Sequence, residues 1–305
     1  MNEPTDMLES IAKGLEQNPE DICRVQWLMD ELTWELRCLR RKMPVADWKA
    51  FVDACRNHRL RALVHLDPFT NWSFSKPRGY PGDASLLDFI YGEPEANGAI
   101  ESSPILGKSI FARNRNVPSC RAVRYRKSLL SDRVKELGGG KVLSVACGHL
   151  RELRALRHDG FDITAFDSDE RSLDEVRRSL PAWRVTAVKG SIRNIVAGKF
   201  SPSGFDYVYA AGLYDYLAAP LAQRLTQILF GKVSSGGSLL IANFTHDTED
   251  VGYMESYKDW WLTFRDESEM LEIVKALPSA EVDSFKLFRD PDRHIVFAEV
   301  RRSKN

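Results

Sequence analysis

The last two apolar runs of the chain leave little freedom of arrangement. "EVDSFKLFRD" (281–290) and "HIVFAEVRR" (294–302) both read as strands, and only "PDR" separates them. A parallel crossover needs a dozen or more residues, so this link demands an antiparallel hairpin. Upstream the pattern is of the other kind. From residue 138, the strands "KVLSVA", "FDITAFD", "WRVTAVKG", "FDYVYAAG" and "GSLLIANFT" alternate with helical stretches. Those stretches are "RELRALRHDG", ending at Gly160, "DERSLDEVRRSL" and "APLAQRLTQILFGKV". Short apolar runs alternating with helices imply a parallel sheet with helices on both faces. The expectation is an α/β fold: a seven-stranded sheet with an antiparallel C-terminal hairpin.

Residues 1–137 differ in kind, and "LGGGK" (137–141) punctuates the change. "NPEDICRVQWLMDELTWELRCLRRKM" places Asn18 and Pro19 as helix cap and first helical residue. Val25, Leu28, Leu32, Leu36 and Leu39 follow at helical spacing. "VADWKAFVDACRNHRLRALVHL" continues the pattern, and "LDPFTNWSFSKPRGYPGD" reads as a loop rich in proline, glycine and aromatics. Asp83 is a cap for the helix "DASLLDFIYG". The basic run "KSIFARNRNVPSCRAVRYRKSLLSDRVKEL" is a solvated helix face or a site for an anionic substrate group. The division expected is a helical N-terminal cap over 1–137 and a sheet domain over 138–305.

Composition excludes some classes. Lys plus Arg equals 43 and Asp plus Glu equals 43, so no overall charge draws the chain to nucleic acid or an anionic membrane. The five cysteines (Cys23, Cys38, Cys55, Cys120, Cys147) form no CxxC pair, which suits reduced thiols in the cytoplasm. "MNEPTDMLES" lacks the apolar core of a signal peptide, and no apolar run reaches the ~20 residues of a membrane span. No His/Asp/Glu cluster has metal-ligand spacing, so no metal is expected.

"VLSVACGHLREL" (142–153) joins the first strand to a turn. A parallel sheet closed by an antiparallel hairpin resembles the class I S-adenosylmethionine-dependent methyltransferases, a Rossmann-like fold. The resemblance runs from residue 138 to the end. In the family's first motif the frame falls on Ser144, Ala146, Gly148 and Leu150, with serine for the acidic residue and alanine and leucine for two glycines. Leu150 is expected to point away from the ligand. A nicotinamide dehydrogenase is the rival, but it needs GxGxxG for close pyrophosphate approach, and "ACGHLRE" lacks that run.

The resemblance assigns cofactor contacts to Ala146, Gly148, His149, Arg151, Asp167, Ser168, Ser191, Ile192, Ala211 and Gly212. Asp167 ends the second strand, about twenty residues beyond the turn, where an acidic side chain accepts both ribose hydroxyls. Ser191 would accept from the adenine amino group, with Ile192 against the ring. Ala210, Ala211 and Gly212 would let the methionine end of S-adenosyl-L-methionine pass, and Tyr214, Asp215 and Tyr216 would crown the reacting centre.

"KPRGYPGDASLLDFIY" (76–91) and "GYMESYKDWWLTFRDESEM" (252–270), with the "SVACGHLREL" motif, resemble the extracellular-factor 3-hydroxypalmitic acid methyl ester biosynthesis family. That resemblance implies methylation of a small molecule, first at the oxygen of an organic or hydroxy-fatty acid. The helical region then serves as a lid, Arg78 clamps a substrate carboxylate, and Tyr80 hydrogen-bonds it. Asn243, Tyr253, Trp260 and Arg265 are candidates to line the pocket. A carboxylate needs no base, whereas an amine does; Glu255, Asp215 and His246 are the candidates in that case. N-methylation of an amino acid or natural-product intermediate, and a non-catalytic cofactor-binding scaffold, remain the alternatives.

Overall fold

A computed structural model describes residues 4–156, 160–181 and 185–304. In chain order the helices and strands are α1 (Pro4–Gln17), α2 (Ile22–Lys42), α3 (Val45–Asn57), α4 (Leu60–Val64), α5 (Pro68–Ser75), α6 (Ala84–Tyr91), α7 (Asn97–Glu101), α8 (Ile105–Asn114), α9 (Pro118–Leu137), β1 (Gly140–Val145), β2 (Phe161–Asp167), α10 (Glu170–Ser179), β3 (Val185–Lys189), α11 (Ile192–Val196), β4 (Phe205–Ala210), α12 (Ala219–Phe230), β5 (Val233–Phe244), α13 (Val251–Tyr257), α14 (Glu267–Val274), β6 (Val282–Arg289) and β7 (Ile295–Arg302). Contacts divide the chain into two compact units. One is Met1–Arg121 with Thr248–Trp261; the other is Ala122–Asp247 with Leu262–Asn305.

The second unit holds a seven-stranded sheet in the order β3-β2-β1-β4-β5-β7-β6. Strands β1 to β5 are parallel, and β7 lies antiparallel between β5 and β6. This is the α/β arrangement that the alternating pattern and the short "PDR" link require. Val142, Leu143 and Val145 of β1 and Ile163 and Ala165 of β2 are buried because helices cover both faces. Leu225, Leu229, Met270 and Ile273 of α12 and α14 close one core against Val208, Leu239, Ile241 and Val296. Full burial of each such side chain is worth roughly 1.5–3 kcal/mol.

The first unit is helical. Leu8, Leu15, Leu28, Leu32, Trp48, Val52 and Leu60 share a core with Tyr253 and Tyr257 of α13. Helix α13 packs on α2 and α3. A Cβ on Gly252 would lie 2.7 Å from the Leu36 carbonyl carbon, so only glycine permits that approach. The segment 248–261, which reads as a substrate loop, is therefore part of the helical core.

Other local expectations shift. Helix α2 begins at Ile22, because Asp21 rather than Asn18 caps it, accepting from Arg24 N at 2.9 Å. The second helical stretch breaks at His58 into α3 and α4. Part of the aromatic "loop" is helix α5, capped by Asp67, while Asp83 caps α6 as expected, accepting from Leu86 N at 2.8 Å. "RELRALRHDG" forms only a 3-10 turn at Arg151–Leu153; residues 157–159 of it, and Trp183 and Arg184 of the third strand's run, lie outside the described residues. The units divide within α9 rather than at Leu137. Past Arg121 this helix packs with the sheet unit, Tyr125 against Phe297 and Arg133 paired with Glu299. Among the described residues no helix is long and apolar enough to cross a membrane.

Candidate functional site

The site is built at the carboxyl ends of β1, β2, β3 and β4. After Val145 the chain alternates into the left-handed region at Ala146 (φ 53°), Gly148 (φ 54°) and Leu150 (φ 52°). These are the three positions at which the family motif carries glycine. The fold thus imposes a glycine-type turn on a sequence with one glycine. Each non-glycine residue held there costs about 1–2 kcal/mol. Leu150 offsets this by full burial.

Gly148 N donates to Asp167 Oδ2 at 2.8 Å, and Asp169 N donates to Oδ1 at 2.9 Å. Asp167 is buried, and burial raises its pKa against the pull of those backbone donors. Each carboxylate oxygen keeps a second acceptor position, which fits a ribose diol. Ser168, beside it, is exposed. After β3, Ser191 Oγ donates to Asn194 Oδ1 at 2.8 Å and accepts from Asn194 N in a capping box, which leaves it one lone pair. Ile192 packs partly buried on the sheet core.

At the end of β4, Arg126 of α9 is buried and donates to Ala211 O at 2.7 Å. A Cβ on Gly212 would lie 3.7 Å from its Nη2. Asp215 accepts from Phe244 N at 2.6 Å, and burial pushes it up to about 6 against the opposing fields of Arg126 and Arg265. Nearby, Tyr209 OH donates to Glu152 at 2.7 Å, and burial raises that carboxyl as well.

Several candidates of this unit are committed to structure. Tyr214 is wholly buried, with its hydroxyl 2.8 Å from Thr226 Oγ1 in the core, so it does not crown the reacting centre. Arg265 donates to Tyr214 O at 2.8 Å, to Asn243 Oδ1 at 2.6 Å and to Leu217 O. Asn243 in turn donates to Phe244 O and Thr263 O. These two residues brace the loops after β4 and β5 rather than line a pocket. His246 is exposed and 3.0 Å from Glu269. Arg151 is buried against Glu175 at 2.7 Å, with His149 beside it at 3.5 Å, so it ties the turn to α10.

The helical unit holds the rest. Glu255 is buried and receives Arg40 through two hydrogen bonds, 2.7 and 2.8 Å, and Trp48 Nε1 at 2.6 Å. Buried and held by three donors from Arg40 and Trp48, it is a structural carboxylate rather than a base or substrate anchor. Tyr253 lies in the core, its hydroxyl 3.1 Å from Thr70 Oγ1 and 3.2 Å from Asn114 Nδ2. Trp260 is buried, and its backbone N donates to Met254 O. Arg78 and Tyr80 are half-buried in the turn around Gly79 (φ 93°).

Residues 122–274 match the family model described as tellurite resistance protein TehB. The chain belongs to the TehB family. The match begins at the residue where the sheet unit begins. Family and fold make it a methyltransferase that uses S-adenosyl-L-methionine. No curated protein matches the chain. Among solved structures, "a possible exported protein" from Bordetella parapertussis has the same fold, at 16% identity over 87% of this chain and 98% of its own, with a TM-score of 0.64. Magnesium protoporphyrin IX methyltransferase from Synechocystis, with bound SAH, is 11% identical over 61% and 86%, with a TM-score of 0.46. The N-methyltransferase NodS from Bradyrhizobium japonicum, with S-adenosylhomocysteine, is 16% identical over 61% and 89%, with a TM-score of 0.45.

In this TehB-family chain the buried cation at the end of β4, Arg126, is the feature that sequence reasoning missed. It sits in a run of cations that reads as a solvated face, and periodicity alone does not single out its burial.

Proposed function

We propose that the chain transfers the methyl group of S-adenosyl-L-methionine to the oxygen of a small organic acid, with a hydroxy-fatty acid as the leading class. The observation that carries the reading is the bond from the turn to Asp167. It ties a left-handed backbone turn to a buried carboxylate at the strand ends, where ligands of open α/β sheets bind.

The cofactor supplies an electrophilic methyl group on a sulfonium. Asp167 takes the two ribose hydroxyls with its remaining acceptor positions. Ser191 accepts from the adenine amino group, and Ile192 packs on the ring. Ala146, Gly148 and exposed Ser168 border the ribose, and His149 supports the turn. Arg126 is the proposed partner of the cofactor's carboxylate, as a two-point donor. Ala211 and Gly212 leave room at that end. Asp215 positions Arg126 by its charge and holds the chain after β5 through Phe244 N.

Oxygen is preferred to nitrogen because two of the bases an amine would need are engaged. Glu255 is held by Arg40 and Trp48, and His246 by Glu269. A carboxylate is already nucleophilic, so alignment and exclusion of water suffice. The five free thiols favour a cytoplasmic setting.

The test is transfer of isotopically labelled methyl from S-adenosyl-L-methionine across a panel of hydroxy fatty acids, other organic acids and amino acids. Base-labile methyl esters from the acid arm support the reading. Label only in amine products would replace it with N-methylation, and no transfer despite cofactor binding would leave the scaffold.

A further inference from the structure

The helical unit contains a cavity of about 420 Å³ that the methyl-transfer reading does not use. It is bordered by α2, α8, the start of α9 and the residues just before α13. Its volume falls within the range of small-molecule pockets.

Asp250 lines this cavity and is 2% exposed. Its Oδ2 accepts from Ser119 Oγ at 2.8 Å, while Oδ1 is buried with no hydrogen-bond partner. A buried carboxylate oxygen without a donor is costly, since charge and lone pairs have left water without replacement. The other lining acids are matched. Arg113 binds Asp30 at 2.9 Å, and Arg37 lies 3.3 Å from Glu249. Arg121 donates to Asn116 O at 2.7 Å. Asn116 spends its Nδ2 on Ala112 O at 2.9 Å, which leaves its Oδ1 as an acceptor on the same lining.

We propose that this cavity binds a small aliphatic primary ammonium ion. Such an ion brings a charge for Asp250 and three N–H donors for Asp250 Oδ1, Asn116 Oδ1 and the Gln26 amide oxygen. Ala112 and Val117 offer apolar surface to its methylene stem. The site goes beyond the methyl-transfer function and does not depend on it.

The experiment is nuclear magnetic resonance titration of the full chain with n-butylammonium, with butyrate and n-butanol as controls. Saturable shifts with n-butylammonium alone are expected. Asp250→Asn, checked for folding by its amide spectrum, should weaken binding by about tenfold or more. Asn116→Leu changes an exposed side chain and should weaken it by about threefold. It decides the matter if Asp250→Asn does not fold. Absence of saturation at millimolar n-butylammonium, an equal response to butyrate, or unchanged affinity in a folded variant would overturn the proposal.

Discussion

Gly148 N donates to Asp167 Oδ2 across 2.8 Å, joining the turn after β1 to the end of β2. One carboxylate thus shapes the turn and, in the proposed function, also takes the ribose. Replacing Asp167 by alanine should lower affinity for S-adenosylhomocysteine by about 100-fold, since two charge-assisted hydrogen bonds are lost. Burial raises the pKa of Asp167, and the ionised form is the acceptor. Affinity should therefore hold at neutral pH and fall on acidification, at a higher pH than an ordinary aspartate would give. Calorimetry across pH, with Asp167→Asn as the flat control, checks this.

Ala146 is exposed and sits at φ 53°. Ala146→Gly removes the Cβ penalty without losing core contacts, so stability should rise by about 1 kcal/mol. Urea unfolding measures it, and cofactor affinity should change little.

Arg126→Ala should weaken binding of S-adenosylhomocysteine by about tenfold to 100-fold. Its decarboxylated analogue should bind wild type and variant alike. Equal losses for both ligands would make Arg126 a structural brace on Ala211 O.

Burial pushes the pKa of Asp215 up to about 6, against a reference of 3.8. Between those values the native state binds more protons than the unfolded one, so this group lowers stability as pH rises through the window. The loss is complete above it and amounts to roughly 3 kcal/mol. Asp215→Asn keeps an acceptor for Phe244 N and should flatten the dependence, gaining most at pH above the window. Thermal unfolding as a function of pH reads it.

Glu255→Ala leaves Arg40 and Trp48 without their acceptor. The cost should be about 2–3 kcal/mol, discounted because Arg40 keeps access to water. KM for the acceptor should not change in the folded fraction, as expected for a residue inside the helical core.

The sheet was legible because burial on both faces forces apolar runs, and because three residues cannot carry a parallel crossover. The place of Asp167 at the end of β2 was legible from the strand pattern. The misreadings share a cause. "GYMESYKDWW" is aromatic and glycine-bearing, as pocket loops are, yet Gly252 is small to meet Leu36 and Tyr253 and Glu255 serve the core. Tyr214 follows β4, Asn243 is next to the end of β5 and Arg265 lies in the segment beyond it, near where ligands of such sheets bind, but their polar groups are satisfied internally. Composition tells which side chains carry chemistry and not which way they turn. Arg126 was hidden for the same reason.

The most direct measurement is calorimetric titration of the full chain with S-adenosylhomocysteine. Single-site binding in the micromolar range is expected. No heat at millimolar ligand, with the protein shown to be folded, would contradict it and leave the turn after β1 as a strand connection alone.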